Sequence, residues 1–217
     1  MPIKAKKHAR KVHPMFVSVV LDETGSMNSV LDATISGYNE YIGKLRKSKG
    51  KILLSLTKFD SNKIEHVFNG EDIKNVPDLN KDTYRPGAMT PLYDAIAHTI
   101  KETETKLCSL RVKPKVLFVI ITDGEENSSR EFTREKVNEM IKTMTTKKWS
   151  FVYLGANQDA WAVGSLLGIA KGNTLNFNTQ KIAQTFAVLG TRSCNFACEM
   201  SMSTSKFFDE NDETKTK

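Results

Sequence analysis

One pattern constrains the fold of this chain more than any other. Short apolar runs rich in β-branched residues alternate with longer stretches whose apolar residues recur every three to five positions. The runs occupy residues 15–21 (MFVSVVL), 51–59 (KILLSLTKF), 64–68, Lys115–Thr122 (KVLFVIIT), 150–154 and Thr174–Phe177. Uninterrupted apolar runs of this length suit strands covered on both faces. Between them, residues 29–47 carry Val30, Ile35, Tyr38, Ile42 and Leu45 at helical spacing. A second helix opens at Thr90-Pro91, with Pro91 at its first position, Thr90 expected as its N-cap, and Leu92, Ile96, Ile100 and Leu107 on its apolar face. Further helices are predicted over 133–145, 159–167 (with Asp159 as cap) and 180–188. The order β-α-β-β-α-β-α-β-α-β-α predicts an α/β fold: a six-stranded, mostly parallel, doubly wound sheet with helices on both faces. The run at 64–68 follows the turn-like Asp60-Ser61-Asn62 and is expected as one antiparallel edge strand.

The 217 residues suffice for one domain with some excess. Residues 1–14 form a basic arm, residues 15–192 the domain, and residues 193–217 a polar, acidic tail expected to be loose. The arm holds Lys4, Lys6, Lys7, Arg10 and Lys11 and no acid, so most of the net charge of +7 sits in it. An arm of this kind can meet a phosphate backbone, but no stacking aromatics are interleaved with its charges, and nucleic acid is disfavoured as a partner. The longest aliphatic/aromatic run, residues 116–121, is far below the ~18 residues needed to cross a bilayer. No secretory leader is read at the N-terminus, and no membrane partner is expected. Cys108, Cys194 and Cys198 have no disulfide framework spacing, which points to a reducing, cytoplasmic compartment. Cys194 and Cys198 stand at a spacing zinc could tolerate, but no histidine lies near them, so ordinary thiols are the better reading.

In open α/β sheets the ligand site lies at the carboxyl ends of the strands, where strand order reverses. Two apolar runs end there on aspartates, Asp22 and Asp123. Beside Asp22, Thr24 and Ser26 place hydroxyls at alternate positions, and Thr90 supplies a third. Residues i, i+2 and i+4 of an extended or turning backbone can face one point. Two carboxylates with hydroxyls are hard oxygen ligands that suit Mg²⁺ or Mn²⁺. Taken singly, each has an ordinary role: the aspartates as turn or helix caps, Thr90 as an N-cap, Ser26 as a helix start. Glu125 and Glu126, next to Asp123, read as solvated rim or helix-start acids.

Together, Asp22-x-Thr24-x-Ser26, Thr90 in Gly87-Ala88-Met89-Thr90-Pro91-Leu92, and Asp123 in Ile121-Thr122-Asp123-Gly124 resemble the von Willebrand factor A domain with its metal-ion-dependent adhesion site. The resemblance covers about residues 15–190. It implies a Rossmann-like fold and no catalysis. The two hydroxyl residues of the first motif and the threonine would contact Mg²⁺ or Mn²⁺ directly or through water, and the aspartates mainly through water. A protein partner's acidic side chain would complete the coordination. One departure is Thr24, where the family pattern has serine; it keeps the hydroxyl and adds a methyl, and the other is the basic arm, which the family does not require.

A second reading is a phosphotransferase or phosphatase resembling the haloacid-dehalogenase superfamily. Asp22 would be the nucleophile in Asp22-Glu23-Thr24-Gly25-Ser26, Thr57 the phosphate-binding hydroxyl and Asp123 the Mg²⁺-binding acid. Against it, Thr24 stands where an acid would be expected, a helix starts too soon for a flap hairpin, and Thr90 has no role. A third reading makes the same domain a subunit of a larger intracellular assembly that binds through the same metal. The sequence has no Gly-x₄-Gly-Lys-[Ser/Thr] phosphate loop and no Gly-x-Ser-x-Gly elbow. The segment 155–159, on the same rim, is a further candidate for the partner surface.

Overall fold

The computed structural model describes residues 14–156 and 159–216. The basic arm, apart from Pro14, lies outside the described residues, as do Asn157 and Gln158 of the rim segment. Six strands form one sheet: β1 (Met15–Asp22), β2 (Ile52–Phe59), β3 (Ile64–Asp72), β4 (Lys115–Thr122), β5 (Trp149–Ala156) and β6 (Thr174–Phe177). Their order across the sheet is β3-β2-β1-β4-β5-β6. All neighbouring pairs are parallel except β2–β3, so the hairpin strand lies antiparallel at an edge, as its turn residues predict.

β1, β2, β4 and β5 are buried at every position, which is why they read as continuous apolar runs. β3 is mostly half-buried, as befits an edge. On one face Val17, Val19, Leu21, Leu117, Val119 and Ile121 pack with Tyr38 and Ile42 of α1 (Leu31–Lys47) and Phe186 and Leu189 of α5 (Ile182–Cys198). On the other, Phe16, Val20, Phe118 and Ile120 pack with Ile96 and Ile100 of α2 (Leu92–Cys108) and Val137 and Ile141 of α3 (Arg134–Thr146). α4 (Ala160–Leu166) links β5 to β6, and Asp159 caps it by accepting from the Ala162 amide. No described helix is long and apolar enough to cross a membrane.

The chain builds outward from β1 to β2 and β3, then returns to β4 on the other flank of β1. Strand order therefore reverses between β1 and β4, where a crevice opens at their carboxyl ends. Leu21 pairs with Ile121, which sets Asp22 level with Thr122 and one step below Asp123.

Two expectations need correction. The last sheet-packed helix runs on to Cys198, well beyond residue 188. The C-terminal segment is also not loose: Phe207 and Phe208 are buried, and α6 (Glu210–Thr216) packs against α5 and β6. Arg192 of α5 fastens it, donating Nε to Asp212 Oδ2 at 2.6 Å and pairing with Asp209. An apolar pair inside a polar stretch has no period to reveal it.

Candidate metal centre

The five predicted site residues come from three separate segments and meet at the carboxyl ends of β1 and β4. Asp22 closes β1 with its carboxylate fully buried; Oδ1 accepts from the Thr24 amide at 2.7 Å and Oδ2 from the Thr122 hydroxyl at 2.6 Å. The first bond is an Asx-type turn, which rolls the chain over so that Thr24 and Ser26 follow on the same side. Their hydroxyls lie 3.3 Å apart. A short 3-10 helix, Gly25–Val30, begins at once and leads into α1, so no hairpin intervenes. Ser26 Oγ donates to Asp123 Oδ1 at 2.6 Å, closing the gap between the β1 and β4 loops.

Thr90 joins from the third segment. The expectation that it caps α2 is not met: the N-cap is Pro91, and no side-chain cap bond is made there. Its backbone is held by Asn127, whose Oδ1 accepts from the Thr90 amide at 2.8 Å and whose amide donates to the Thr90 carbonyl at 3.1 Å. The Thr90 hydroxyl turns instead towards the crevice. A methyl placed on Gly124 would lie 3.2 Å from Thr90 Oγ1 and 3.6 Å from Ser26 Oγ, so the two hydroxyls converge over that glycine.

Burial raises the Asp22 carboxyl from 3.8 to about 6, against the lowering effect of its bonds from Thr122 and Thr24; the like charge of Asp123 adds to the rise. Asp123 is also pushed up by burial, with the Ser26 bond opposing. Two partly desolvated carboxylates beside three neutral hydroxyls leave a site short of positive charge. All five donors are hard oxygens, so the set fits a small divalent cation. Among the described residues no group of three or more His, Cys, Asp or Glu is placed to hold a metal. A centre here would depend on its hydroxyls as much as on its carboxylates.

Several supporting residues escaped the sequence reading. Tyr84, fully buried, donates its hydroxyl to the Asp22 carbonyl at 2.5 Å. Glu23 and Lys58 form a buried ion pair, with Nζ 3.1 Å from both carboxylate oxygens. Glu23 Oε1 accepts from the Arg85 amide at 2.6 Å and Lys58 donates to the Thr83 carbonyl at 2.6 Å, so the pair anchors the loop that delivers Thr90. Glu126, expected as a rim acid, is structural: it accepts from the Tyr93, Ser128 and Ser129 amides and so ties the β4 loop to the start of α2. Glu23 had a faint signal in its place inside the motif; Tyr84 had none.

The phosphoaspartate reading gains nothing here. Thr57 lies on β2, and its hydroxyl bonds His66 Nδ1 at 2.9 Å across to β3.

No curated protein matches the chain. Among solved structures, proximal thread matrix protein 1 from the mussel byssus matches with a TM-score of 0.57 at 11% identity, covering 84% of this chain and 46% of that one. This chain thus spans under half the length of that protein. The manganese-loaded Plasmodium vivax TRAP protein matches with a TM-score of 0.55 at 14% identity, covering 80% of this chain and 73% of that one. At these identities the likeness is one of fold. Residues 17–189 match the von Willebrand factor type A domain, and on that match the chain belongs to the von Willebrand factor type A domain family.

Proposed function

We propose that this chain is a non-enzymatic protein-binding module whose grip depends on Mg²⁺ or Mn²⁺ held by Thr24, Ser26 and Thr90. Asp22 and Asp123 support the ion, largely through water. The observation that carries the reading is the meeting of three hydroxyls and two buried carboxylates, from three segments, at the carboxyl ends of β1 and β4. The family match and the manganese-loaded structural neighbour support it further.

Each residue has a definable task. Thr122 and the Thr24 amide fix both oxygens of Asp22, leaving its charge aimed at the crevice. Asp123 orients the Ser26 hydroxyl by accepting its hydrogen bond, which leaves the lone pairs of Ser26 Oγ available to a cation. Asn127 holds Thr90 in register with both. A bound cation supplies an electrophilic open position, and an acidic side chain of the partner is the natural sixth ligand, because neutral hydroxyls leave the ion's charge only partly balanced. The compartment read from the three unpaired thiols is reducing and cytoplasmic, so the partner is an intracellular protein, free or in a larger assembly.

The test is Mn²⁺ binding followed by paramagnetic resonance, then a pull-down of an intracellular partner with and without chelator. Binding of partner that survives both chelator and Thr90→Ala would refute the reading.

A further inference from the structure

The end of the sheet opposite the candidate metal centre has an unusual distribution of charge. Residues 46–51 (RKSKGK), 105–115 (TKLCSLRVKPK) and 140–149 (MIKTMTTKKW), which run from the last turns of α1, α2 and α3 into β2, β4 and β5, contain no acid, while Glu104, Glu199 and, on β3, Glu71 and Asp72 stand at the same end. Because β2, β1, β4 and β5 are adjacent and parallel, these loops lie side by side at one end, within about 15 Å across four strands. Lys47, Lys49, Lys51, Arg111 and Lys148 are exposed there and form no ion pair among the described residues. At the other end Lys58, Lys63, Lys81 and Arg85 each pair with a carboxylate. At the basic end Arg46 and Lys147 pair with Asp78 and Glu104, but its five exposed cations named above have no carboxylate partner among the described residues, and a surplus of one sign marks an interaction surface.

The same end is also apolar in places. Val112, between Arg111 and Lys113, is 64% exposed, and Met200 is 82% exposed. Lys115, at the start of β4, bonds the carbonyls of Phe196 and Glu199, which fixes Met200 at this end. Between these tips lies a groove of about 380 Å³ floored by Leu107, Pro114, Val116, Trp149 and Met202 and rimmed by Lys113, Lys148 and the ion pair of Lys147 with Glu104. The acid-free arm joins β1 here, through Pro14, whose carbonyl accepts from Lys115.

We propose that this end of the domain docks on an anionic lipid bilayer, with the lysines and arginines against the headgroups and Val112 and Met200 entering the boundary with the acyl chains. Nucleic acid shares the negative charge but does not call for exposed aliphatic tips, and among the described residues no exposed aromatic stands at this end to stack on bases. A bilayer answers both features, since charge and a shallow apolar insertion together are what hold a peripheral protein. The expectation of no membrane partner rested on the lack of a spanning segment and does not touch a peripheral contact. The surface is independent of the metal reading, because the two lie at opposite ends of the strands.

The experiment is flotation of the full chain with vesicles of phosphatidylcholine alone or with ~30% phosphatidylglycerol, at near-physiological salt in EDTA. The expected result is binding to the anionic vesicles only. Lys49→Glu/Arg111→Glu/Lys148→Glu should weaken it by about a hundredfold or more, given roughly fivefold per basic residue near such a surface. Val112→Ser/Met200→Ser should weaken it severalfold while leaving the fold, checked by circular dichroism, intact. Lack of binding to anionic vesicles overturns the proposal, as does binding indifferent to both sets of substitutions. Capture of a duplex or single-stranded oligonucleotide with the same charge dependence, but not of vesicles, replaces it with a nucleic-acid surface.

Discussion

The hydroxyl of Ser26 donates to Oδ1 of Asp123 at 2.6 Å across 97 positions of sequence, and this bond joins the loop after β1 to the loop after β4. It explains how a strand-end aspartate and a helix-start serine become parts of one centre. Ser26→Ala removes both a candidate ligand and the group that lowers the Asp123 pKa. Metal affinity should fall by at least about tenfold, while the fold loses no more than about 1–2 kcal/mol, the scale of one partly buried hydrogen bond. Isothermal titration with Mn²⁺ and urea denaturation check the two halves separately.

Gly124 sits where the Thr90 and Ser26 hydroxyls converge, with a notional methyl 3.2 Å from one and 3.6 Å from the other. Gly124→Ala should therefore leave stability within about 1 kcal/mol, since the neighbouring hydroxyls can give a few tenths of an ångström. It should nonetheless abolish Mn²⁺ binding, because the methyl occupies space the ion needs. Undiminished affinity in a folded Gly124→Ala protein would place the ion elsewhere.

The raised Asp22 pKa fixes the direction of a pH effect. Its folded value of about 6 lies above the 3.8 of the free group, so the folded state holds this proton more tightly than the unfolded chain. The resulting stability is full below about pH 3.8 and is lost as pH rises through about 6. Metal-free wild type should lose about 2 kcal/mol relative to Asp22→Asn between pH 4 and pH 7. Added Mg²⁺ should restore wild-type stability at pH 7.5 and much less at pH 5, where a proton competes. Urea midpoints at the two pH values, with and without Mg²⁺, measure this.

The Glu23–Lys58 pair is buried on both sides and holds the loop carrying Thr90. Lys58→Met strands a carboxylate and should cost about 3–5 kcal/mol. Glu23→Leu/Lys58→Met should recover part of that loss, because neither charge is then left unpaired. Metal affinity should stay low in the double variant, since the Arg85 amide and the Thr83 carbonyl lose their partners. Chemical denaturation of wild type, Glu23→Leu, Lys58→Met and the double variant closes the cycle that gives the coupling.

How much of this was legible in the sequence follows from where the information lay. Parallel strands buried on both faces read as unbroken apolar runs, so β1, β2, β4 and the doubly wound order were visible. Asp22 and Asp123 were visible because each ends such a run. Thr90 was found through its motif but given a capping role, whereas the helix begins after Pro91 and leaves the hydroxyl free to face the crevice. Tyr84 and Asn127 were invisible: their bonds to Asp22 and Thr90 span 62 and 37 positions through irregular loops, where no period or composition marks a partner. The packed C-terminus was missed for a related reason. Phe207 and Phe208 are its buried apolar anchors in a polar stretch, and Arg192 pairs with Asp209 and Asp212 across to it.

The central claim is that the oxygen cluster at the carboxyl ends of β1 and β4 binds a divalent cation. The most direct measurement is a Mn²⁺ titration followed by paramagnetic resonance on folded wild type, Thr90→Ala and Thr57→Ala, with a soluble carboxylate such as acetate supplied in place of the partner's acid. Thr57 bonds His66 on the β2–β3 edge and serves as the control. The account predicts one bound Mn²⁺ in wild type and Thr57→Ala, and binding at least about tenfold weaker in Thr90→Ala, the loss of one direct ligand being worth more than about 1.4 kcal/mol. Equal binding by all three proteins, or none by wild type with carboxylate present, would contradict it.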